Sequence, residues 1–357
     1  MSEQVLIKGN EAIGEAAIRA GCRYYFGYPI TPQSELPEYM ARKLPAVNGV
    51  FLQAESEIAA INMVYGAAAA GVRSMTSSSS PGFSLKQEGI SYIAAGELPC
   101  LLVNVQRGGP GLGTIQPGQA DYFQATKGGG HGDYRLLVLA PGSVQEMFDF
   151  TMEGFDLADK YQTPVLLLAD GALGQTMEAV TMEVKAAPAV EKPWAVTGRR
   201  GRSTTNLVNT LFFDKEDAER VNQRLQKKYA LITDNEVRHE EYLTEDADLV
   251  IVAYGISARV ARSAVDEARA QGLKVGLMRP ITLWPFPERP LAKLAASAKA
   301  FLVAELSTGQ MIEDVRLATR CNCPKPVHFY GRTGGNIFSV DELSGEIDNI
   351  LSGWEEQ

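Results

Sequence analysis

Strand-like and helix-like segments alternate along the first half of this chain, and glycine or proline separates most of them. Residues 11–20 place small and apolar side chains on one helical face and stop at Gly21, and residues 24–28 form a short aromatic-rich run. Neighbouring parallel strands need a crossover connection between them, which is usually a helix. The alternation therefore predicts a doubly wound, parallel α/β sheet.

Further segments extend this pattern. More strands are predicted at residues 50–54, 73–77, 99–105, 135–140 and 164–170. The helix after the first of these should begin near Glu55 or Glu57 and run to about Ala70. Its many alanine and glycine residues would let backbones approach closely, so we expect it to be buried against the sheet or against a partner.

Two helix starts carry sequence signals. Thr31 is expected to cap a helix whose first residue is Pro32, since threonine is a good N-cap and proline is common at the first helical position. The spacing Ser143-x-x-Glu146 predicts a capping box, in which the serine side chain accepts from the backbone three residues later.

The second half of the chain divides into two parts. Residues 186–245 show no sheet-like apolar pattern and contain a charged helical stretch near residues 217–228, so we interpret them as a connector that wraps over a surface. Strand patterns then resume at residues 248–255, 274–280, 300–306 and 326–332. The predicted organisation is a first domain of residues 1–185, this connector, and a smaller parallel α/β domain of residues 246–357.

Composition limits the function classes. A net charge of −9 and a pI near 5.1 argue against a protein that mainly binds nucleic acid. The basic run Arg199-Arg200-Gly201-Arg202 is interpreted as a solvated linker. The N-terminal residues do not resemble a signal peptide, and no apolar run approaches the ~18 residues of a membrane span. A cytoplasmic protein with no membrane partner is expected.

The cysteines are few and scattered. The chain has four cysteines, Cys22, Cys100, Cys321 and Cys323, and only the last two are close in sequence. This number and spacing are insufficient for a disulfide framework. Iron–sulfur clusters usually take four closely grouped thiolates, so this chain should carry none of its own. Histidine, cysteine and carboxylate residues do not cluster at metal-ligand spacing, and no metal site is predicted.

The glycine-rich segment at residues 107–118 invites comparison with a dinucleotide-binding loop. Its glycines do not follow the order G-x-G-x-x-G, Pro110 interrupts them, and Pro117 delays any helix that could face a phosphate. A nicotinamide site is therefore not favoured. The glycines would instead let the loop lie flat against a ligand or another subunit.

Several side chains near predicted strand ends could carry chemistry. Glu55 and Glu57 lie near a predicted helix start, where a carboxylate interacts favourably with the helix dipole. Alternatively, one of them could lie in an apolar crevice and hydrogen-bond a ring nitrogen. Arg107 could bind a carboxylate bidentately or could be an ordinary loop residue. His131 could serve in acid–base chemistry or be an ordinary loop residue. The serine run at residues 77–80 could bond a ligand but lacks the arrangement of a nucleophile elbow.

A set of motifs in order resembles a known family. They are Gly27-Tyr-Pro-Ile-Thr-Pro32, Gln53-Ala-Glu-Ser-Glu57, Thr76-Ser-Ser-Ser-Ser-Pro-Gly82, Gln106-Arg-Gly-Gly-Pro110 and Gly130-His-Gly-Asp-Tyr134. Over about residues 5–180 the chain resembles the α subunit of 2-oxo acid:ferredoxin oxidoreductases, especially the branched-chain (3-methyl-2-oxobutanoate) type, with the 2-oxoglutarate type a near neighbour. The resemblance implies a first domain like the pyrimidine-binding domain of thiamine diphosphate enzymes and a second like the transketolase C-terminal domain.

The resemblance also assigns residues. The family's cofactor glutamate precedes a helical glycine by nine positions, a spacing that Glu57 and Gly66 share and Glu55 does not. Glu57 would hydrogen-bond the cofactor's pyrimidine N1′ and so act as the catalytic residue. Thr31 and Arg107 would bind the substrate's 2-oxo carboxylate. Pro29 and Ser78 would add cofactor contacts.

The implied activity is thiamine diphosphate-dependent oxidative decarboxylation of a 2-oxo acid to an acyl-CoA, with ferredoxin as electron acceptor. The usual Gly-Asp-Gly motif that holds the diphosphate and magnesium is missing; the nearest string is Ala169-Asp170-Gly171. The resemblance therefore implies that thiamine diphosphate is shared with a diphosphate-binding β subunit. Magnesium and iron–sulfur clusters would belong to partner subunits, including a γ subunit and a ferredoxin-like subunit.

Alternatives from other classes are a non-catalytic scaffold subunit and a nicotinamide dehydrogenase. Convergence of Glu57, Thr31 and Arg107 on one pocket would favour the enzyme over the scaffold. The substrate stays open from sequence. A dicarboxylate such as 2-oxoglutarate would need a second cation, for which Lys86, Lys127 and His131 are candidates, whereas a branched-chain acid needs an apolar wall.

Overall fold

The structure, a computed structural model, describes residues 4–183, 190–320 and 325–355. The first half of the chain forms β1 (Gln4–Lys8), α1 (Gly9–Arg19), β2 (Tyr24–Gly27), α2 (Glu35–Lys43), β3 (Val50–Gln53), α3 (Glu57–Ala69), β4 (Ser74–Ser78), α4 (Ser80–Leu85), α5 (Gln87–Ala95), β5 (Cys100–Gln106), α6 (Tyr122–Thr126), β6 (Leu137–Leu139), α7 (Val144–Tyr161), β7 (Pro164–Asp170), α8 (Gly171–Gln175) and β8 (Met177–Thr181). A short 3-10 helix, Leu44–Val47, follows α2. The predicted alternation is confirmed.

The second half forms fewer elements. They are α9 (Lys215–Asn235), β9 (His239–Tyr242), β10 (Leu249–Val252), α10 (Gly255–Ala270), β11 (Val275–Pro280), β12 (Thr282–Trp284), α11 (Glu288–Leu294), β13 (Ala300–Glu305), α12 (Met311–Thr319), β14 (Val327–Gly331) and α13 (Val340–Glu355). The charged stretch that predicted a helix near residues 217–228 lies inside α9. Cys321 and Cys323 lie outside the described residues.

Seven strands form the large sheet of the described chain, in the order β12-β6-β7-β5-β4-β2-β3. All neighbouring pairs are parallel except β12 with β6. The central strands β5 and β7 are buried at every residue, which is typical of a parallel sheet with helices on both faces. Helices α1, α2 and α7 pack together, as do α3 and α5. The doubly wound fold predicted for the first half is confirmed.

A smaller sheet in the second half has the order β14-β13-β10-β11-β9. Its strands are parallel except β9, which pairs antiparallel with β11. Helices α10 and α13 pack together beside it. This unit is the predicted smaller α/β domain. A separate antiparallel pair, β1 with β8, was not predicted.

Two strands cross the predicted segment limits. Strand β9 lies inside the range predicted as a connector, yet it forms the edge of the smaller sheet. Strand β12 comes from the second half, yet it adds to the edge of the large sheet beside β6. The limits 1–185, 186–245 and 246–357 remain our proposal for the domain division, with these two strands joining the parts.

Two helix predictions have different outcomes. The side chain of Ser143 accepts from the backbone amide of Glu146 at 3.1 Å, which confirms the predicted cap of α7. The prediction that Thr31 caps a helix starting at Pro32 is wrong, because α2 begins at Glu35. The carbonyl of Pro32 instead accepts from the side chains of Asn10 and Gln175, which hold this segment as a turn.

Helix α3 is buried on one side. Ala60, Ile61 and Val64 are fully covered, whereas the side chain of Ile58 is 51% exposed. A Cβ on Gly66 would meet no atom within 4 Å. The exposed side of α3 is where the helix could contact a partner chain, which was the second possibility expected from its sequence. Among the described residues, no helix is long and apolar enough to cross a membrane.

Candidate functional site

Four adjacent parallel strands end at one edge of the large sheet, in the order β5-β4-β2-β3. Arg107 follows β5, Ser78 ends β4, Thr31 lies shortly after β2, and Glu57 lies after β3. Ligands of open α/β proteins bind beyond the carboxyl ends of the strands. The fold therefore places all the predicted site residues along the edge where a ligand is expected.

Glu57 is the first residue of α3, and its side chain is buried. Ser56 caps the helix by accepting from the amide of Ala59 at 3.1 Å, which fixes the backbone that carries Glu57. A Cβ on Gly82 would lie 2.4 Å from Glu57 Oε1 and 2.3 Å from Ser78 Oγ. Glycine at this position thus lets α4 approach both polar side chains. Glu57 and Ser78 share one contact surface.

Some buried polar atoms near the ends of β2 and β4 lack hydrogen-bond partners among the described residues. They are Ser78 Oγ, Ser79 Oγ and Gln33 Nε2. The other end of the Gln33 amide is fixed, because its Oε1 accepts from Ser77 Oγ at 2.5 Å. Leaving a buried donor or acceptor unpaired costs about 1–3 kcal/mol. Of these atoms, Ser78 Oγ shares the Gly82 surface with Glu57, and this pair is suited to a polar, nitrogen-containing ring.

Lys86 lies beneath the same edge, and its side chain is 0% exposed. Its Nζ donates to Thr76 Oγ1 at 2.5 Å and to the carbonyl of Ser77 at 3.2 Å. Burial lowers the pKa of Lys86 to about 7, and the charge of Glu57 partly offsets this shift. The sequence had placed Lys86 only among candidate cations for a substrate carboxylate.

Arg107 is held firmly at the end of β5. Its Nη1 donates to the carbonyl of Thr31 at 3.0 Å and its Nη2 to the carbonyl of Leu112 at 2.8 Å. The Nε atom is buried without a partner among the described residues. A guanidinium has five N–H donors, so it can bind an anion while these two bonds persist. Thr31, whose carbonyl accepts from Arg107, is exposed, and so is Pro29 two residues before it.

A cluster behind Arg107 was missed by the sequence analysis. Ser80 Oγ accepts from the amide of Arg107 at 3.0 Å and is 2.6 Å from Asp121 Oδ2, to which it can donate. The Asn104 side chain also donates to Asp121 at 2.9 Å, and its Oδ1 accepts from the backbone amide of Ser80. The backbone of Ser80 has a φ of +23°. Burial raises the pKa of Asp121 despite these two bonds. These residues lie far apart in the chain, so local patterns could not reveal the cluster.

Other predicted residues lie elsewhere or are already engaged. His131 is exposed, and its carbonyl accepts from Ser91 Oγ at 2.7 Å. Lys127 forms an ion pair with Asp314. Asp170, in the string nearest to a diphosphate motif, accepts from the amides of Leu173 and Ile256 at 3.0 and 2.9 Å. One oxygen of Asp170 therefore caps α8, and the other connects the first half of the chain to α10 in the second half.

Comparison with known families matches nearly the whole chain. Residues 15–245 match the family model described as pyruvate flavodoxin/ferredoxin oxidoreductase, thiamine diphosphate-binding. Residues 247–343 match the model described as pyruvate:ferredoxin oxidoreductase core domain II.

Curated relatives are similar over their full length. The ketoisovalerate oxidoreductase subunit VorB of Methanothermobacter marburgensis is 54% identical over 346 residues, which cover 97% of each chain. The 2-oxoglutarate synthase subunit KorA of the same organism is 38% identical, over 97% of this chain and 99% of that protein.

Solved structures show the same fold. A 2-oxoglutarate:ferredoxin oxidoreductase from Magnetococcus marinus, with 2-oxoglutarate, coenzyme A and succinyl-CoA bound, superposes with a TM-score of 0.87 at 30% identity. The match covers 98% of this chain and 65% of that longer chain. A split-gene transketolase superposes with a TM-score of 0.61 at 15% identity, a likeness of fold alone.

Proposed function

This chain belongs to the 2-oxo acid:ferredoxin oxidoreductase family, and we propose that it contributes the pyrimidine-binding half of a thiamine diphosphate site shared with a partner subunit. As a subunit of such an enzyme, it works with partner chains, coenzyme A and ferredoxin. The overall reaction converts a 2-oxo acid and coenzyme A to an acyl-CoA and carbon dioxide while ferredoxin is reduced. The observation that carries the proposal is that the buried Glu57 shares the Gly82 surface at the strand ends with the buried, unpaired Ser78 Oγ.

These residues fit the pyrimidine ring of the cofactor. Glu57 is buried at a fixed helix start, the unpaired Ser78 Oγ would add a polar contact, and the missing Cβ of Gly82 lets both side chains lie against α4. Glu57 would share a proton with the ring nitrogen N1′, and Pro29 at the exposed rim would contact the cofactor. Thiamine diphosphate, when bound, supplies the electron sink that accepts the bonding pair released with carbon dioxide.

Arg107 and Thr31 would bind the substrate's carboxylate. The bonds to Thr31 and Leu112 fix the position of the Arg107 guanidinium and leave it further N–H groups with which it would bind an anion. A fixed, planar donor fork matches a carboxylate bidentately. The exposed Thr31 hydroxyl lies at the same place and can donate to the 2-oxo group or the carboxylate.

We propose a branched-chain 2-oxo acid, 3-methyl-2-oxobutanoate, as the substrate. The 54% identity to a ketoisovalerate oxidoreductase subunit against 38% to a 2-oxoglutarate synthase subunit supports this choice. The positions of the three candidate cations for a second carboxylate also support this choice, because each is already engaged or lies on an exposed loop. Lys86 is buried and already donates to two groups of β4, Lys127 is paired with Asp314, and His131 lies on an exposed loop.

The rest of the site would come from partner chains. We propose that a β subunit binds the diphosphate and magnesium, and that a γ subunit and a ferredoxin-like subunit complete the complex with its iron–sulfur clusters. One observation supports a shared site: Asp170, in the string nearest to a diphosphate motif, is already engaged by the amides of Leu173 and Ile256. A scaffold without catalytic function would not need a buried glutamate beside an unpaired serine at the ligand-binding edge of the sheet.

The test compares Glu57→Gln with Glu55→Gln in the co-expressed complex. Glu55 is exposed two residues before Glu57, so it is a matched control. We expect Glu57→Gln to assemble normally and to lower kcat by about a hundredfold or more, since positioned acid–base groups contribute about 10²–10⁴-fold. Glu55→Gln should retain activity. Full turnover by Glu57→Gln, or 2-oxo acid decarboxylation by this chain alone, would contradict the proposal.

The substrate is tested on the same complex. Ferredoxin reduction is measured with 3-methyl-2-oxobutanoate, 2-oxoglutarate and pyruvate in parallel, each with coenzyme A. The highest kcat/KM is expected for 3-methyl-2-oxobutanoate. A preference for 2-oxoglutarate would require a cation for the second carboxylate and would overturn the substrate choice without affecting the role of Glu57.

A further inference from the structure

Lys86 lies one helical turn after Gly82, the residue against which Glu57 and Ser78 pack. Residues four positions apart lie on the same face of a helix. The stem of Lys86 therefore runs under the same surface as Gly82, and its Nζ reaches the last residues of β4 just before Ser78. This lysine supports the proposed cofactor site from behind.

The surroundings of Lys86 are unusual for a lysine. Its side chain is fully buried, and two of its three N–H groups are used by the neutral acceptors Thr76 Oγ1 and the carbonyl of Ser77. It forms no ion pair within the described part of the chain, and Glu57 is the charged group with which it interacts. Lysine is almost never fully buried without a partner charge.

The electrostatic interaction between Lys86 and Glu57 is reciprocal. The charge of Glu57 partly offsets the effect of burial on Lys86, and a charged Lys86 attracts the Glu57 carboxylate in turn. This attraction can orient the Glu57 side chain, which lies with Ser78 against Gly82. An apolar side chain of the same length would fill the space at lower desolvation cost, so packing alone does not account for a lysine here.

On the basis of the function proposed above, we propose that Lys86 is a positioning residue that acts through Glu57. Its ammonium hydrogen-bonds the end of β4 and attracts the Glu57 side chain, which fixes Glu57 behind the proposed position of the pyrimidine ring. It does not itself contact the substrate.

A double-mutant cycle tests this role in the co-expressed complex. The affinity for thiamine diphosphate is measured by calorimetric titration for wild type, Lys86→Met, Glu57→Gln and the double variant. Coupled neighbours show interaction energies of about 0.5–3 kcal/mol. We therefore expect Lys86→Met to raise Kd about tenfold in the wild-type background and less than about twofold in the Glu57→Gln background. Equal effects in both backgrounds would show that Lys86 does not act through Glu57.

Lys228→Met is the matched control. Lys228 on α9 is also largely buried, and its pKa is also lowered by burial, but it pairs with Glu97. Its replacement should leave the Kd for thiamine diphosphate unchanged. If Glu57→Gln alone leaves that Kd unchanged, the proposed function fails. If Glu57→Gln weakens binding but the effect of Lys86→Met is simply additive, the proposed function stands and the role of Lys86 is overturned.

Thermal unfolding of the full chain gives a second readout. Burial lowers the pKa of Lys86 to about 7 in the folded chain, whereas an unfolded lysine has an ordinary pKa of 10.5. Below pH 7 Lys86 is therefore charged in both states, and the desolvation cost is fully present. That cost disappears as the pH rises from about 7 to 10.5. The difference in melting temperature between Lys86→Met and wild type should therefore be more positive at pH 6 than at pH 10. The opposite trend would contradict the buried charge on which the proposal depends.

Discussion

The Nη1 atom of Arg107 donates a 3.0 Å hydrogen bond to the carbonyl oxygen of Thr31, although 76 residues separate them in the chain. Arg107 follows β5 and Thr31 follows β2, and β4 lies between these strands in the sheet. The arginine side chain therefore spans the end of β4. It is oriented before any substrate arrives, which lowers the entropy that carboxylate binding must overcome.

Replacing Arg107 by methionine should impair recognition of the 2-oxo acid. Truncating one partner of a hydrogen-bonded charge pair costs about 2–5 kcal/mol, so kcat/KM for 3-methyl-2-oxobutanoate should fall about a hundredfold. The KM for coenzyme A should change little. Steady-state ferredoxin reduction by the complex measures both.

Arg289→Met is the control for this experiment, because Arg289 is an exposed arginine on α11. It should behave as wild type. An unchanged kcat/KM in Arg107→Met would remove Arg107 from the substrate site.

Replacing Gly82 by alanine should weaken cofactor binding. The added Cβ would stand 2.4 Å from Glu57 Oε1 and 2.3 Å from Ser78 Oγ, so one of these side chains must move. We expect the Kd for thiamine diphosphate to rise at least about tenfold, since a displaced catalytic group loses its aligned contact. Calorimetric titration of the complex measures this.

The matched control is Gly345→Ala. Gly345 lies within α13, and a Cβ there would meet no atom within 4 Å. Alanine inside a helix is about 0.5–1 kcal/mol more favourable than glycine, so this variant should be slightly more stable and should bind the cofactor normally. Normal binding by Gly82→Ala would mean that Glu57 and Ser78 are not jointly required.

Replacing Asp170 by asparagine should destabilise the chain without altering cofactor affinity. Asp170 accepts from the amides of Leu173 and Ile256, and the amide nitrogen of asparagine would face one of these donors. Loss of a buried hydrogen bond costs about 1–3 kcal/mol in the free energy of unfolding. Urea unfolding of the full chain measures this loss.

The exposed Asp133 provides the comparison, since Asp133→Asn should leave stability unchanged. If Asp170→Asn kept full stability but made the complex require more magnesium, Asp170 would be a metal ligand and our assignment of a structural role would be wrong.

Periodic patterns in the sequence predicted most of the large sheet, because each strand is recognised from a few consecutive residues. Strand β7 was predicted at residues 164–170 and occurs as Pro164–Asp170, because a strand buried on both faces is a continuous apolar run bounded by turns. Strands β9 and β12 were assigned to no sheet, because their places depend on pairing with distant strands. The failed cap at Thr31 has the same origin, since distant side chains hold the Pro32 carbonyl.

By itself the sequence determined the alternating α/β fold, and the resemblance of its motifs predicted Glu57, Thr31 and Arg107 as site residues. Such information is local, because strand periods, helix periods and short motifs each extend over only a few residues. The tertiary structure alone decided that Lys86 is buried against the end of β4, that Asp121 supports Arg107 through Ser80, and that Asp170 joins the two halves. These relations depend on which strands become neighbours, and that is fixed by packing over the whole chain.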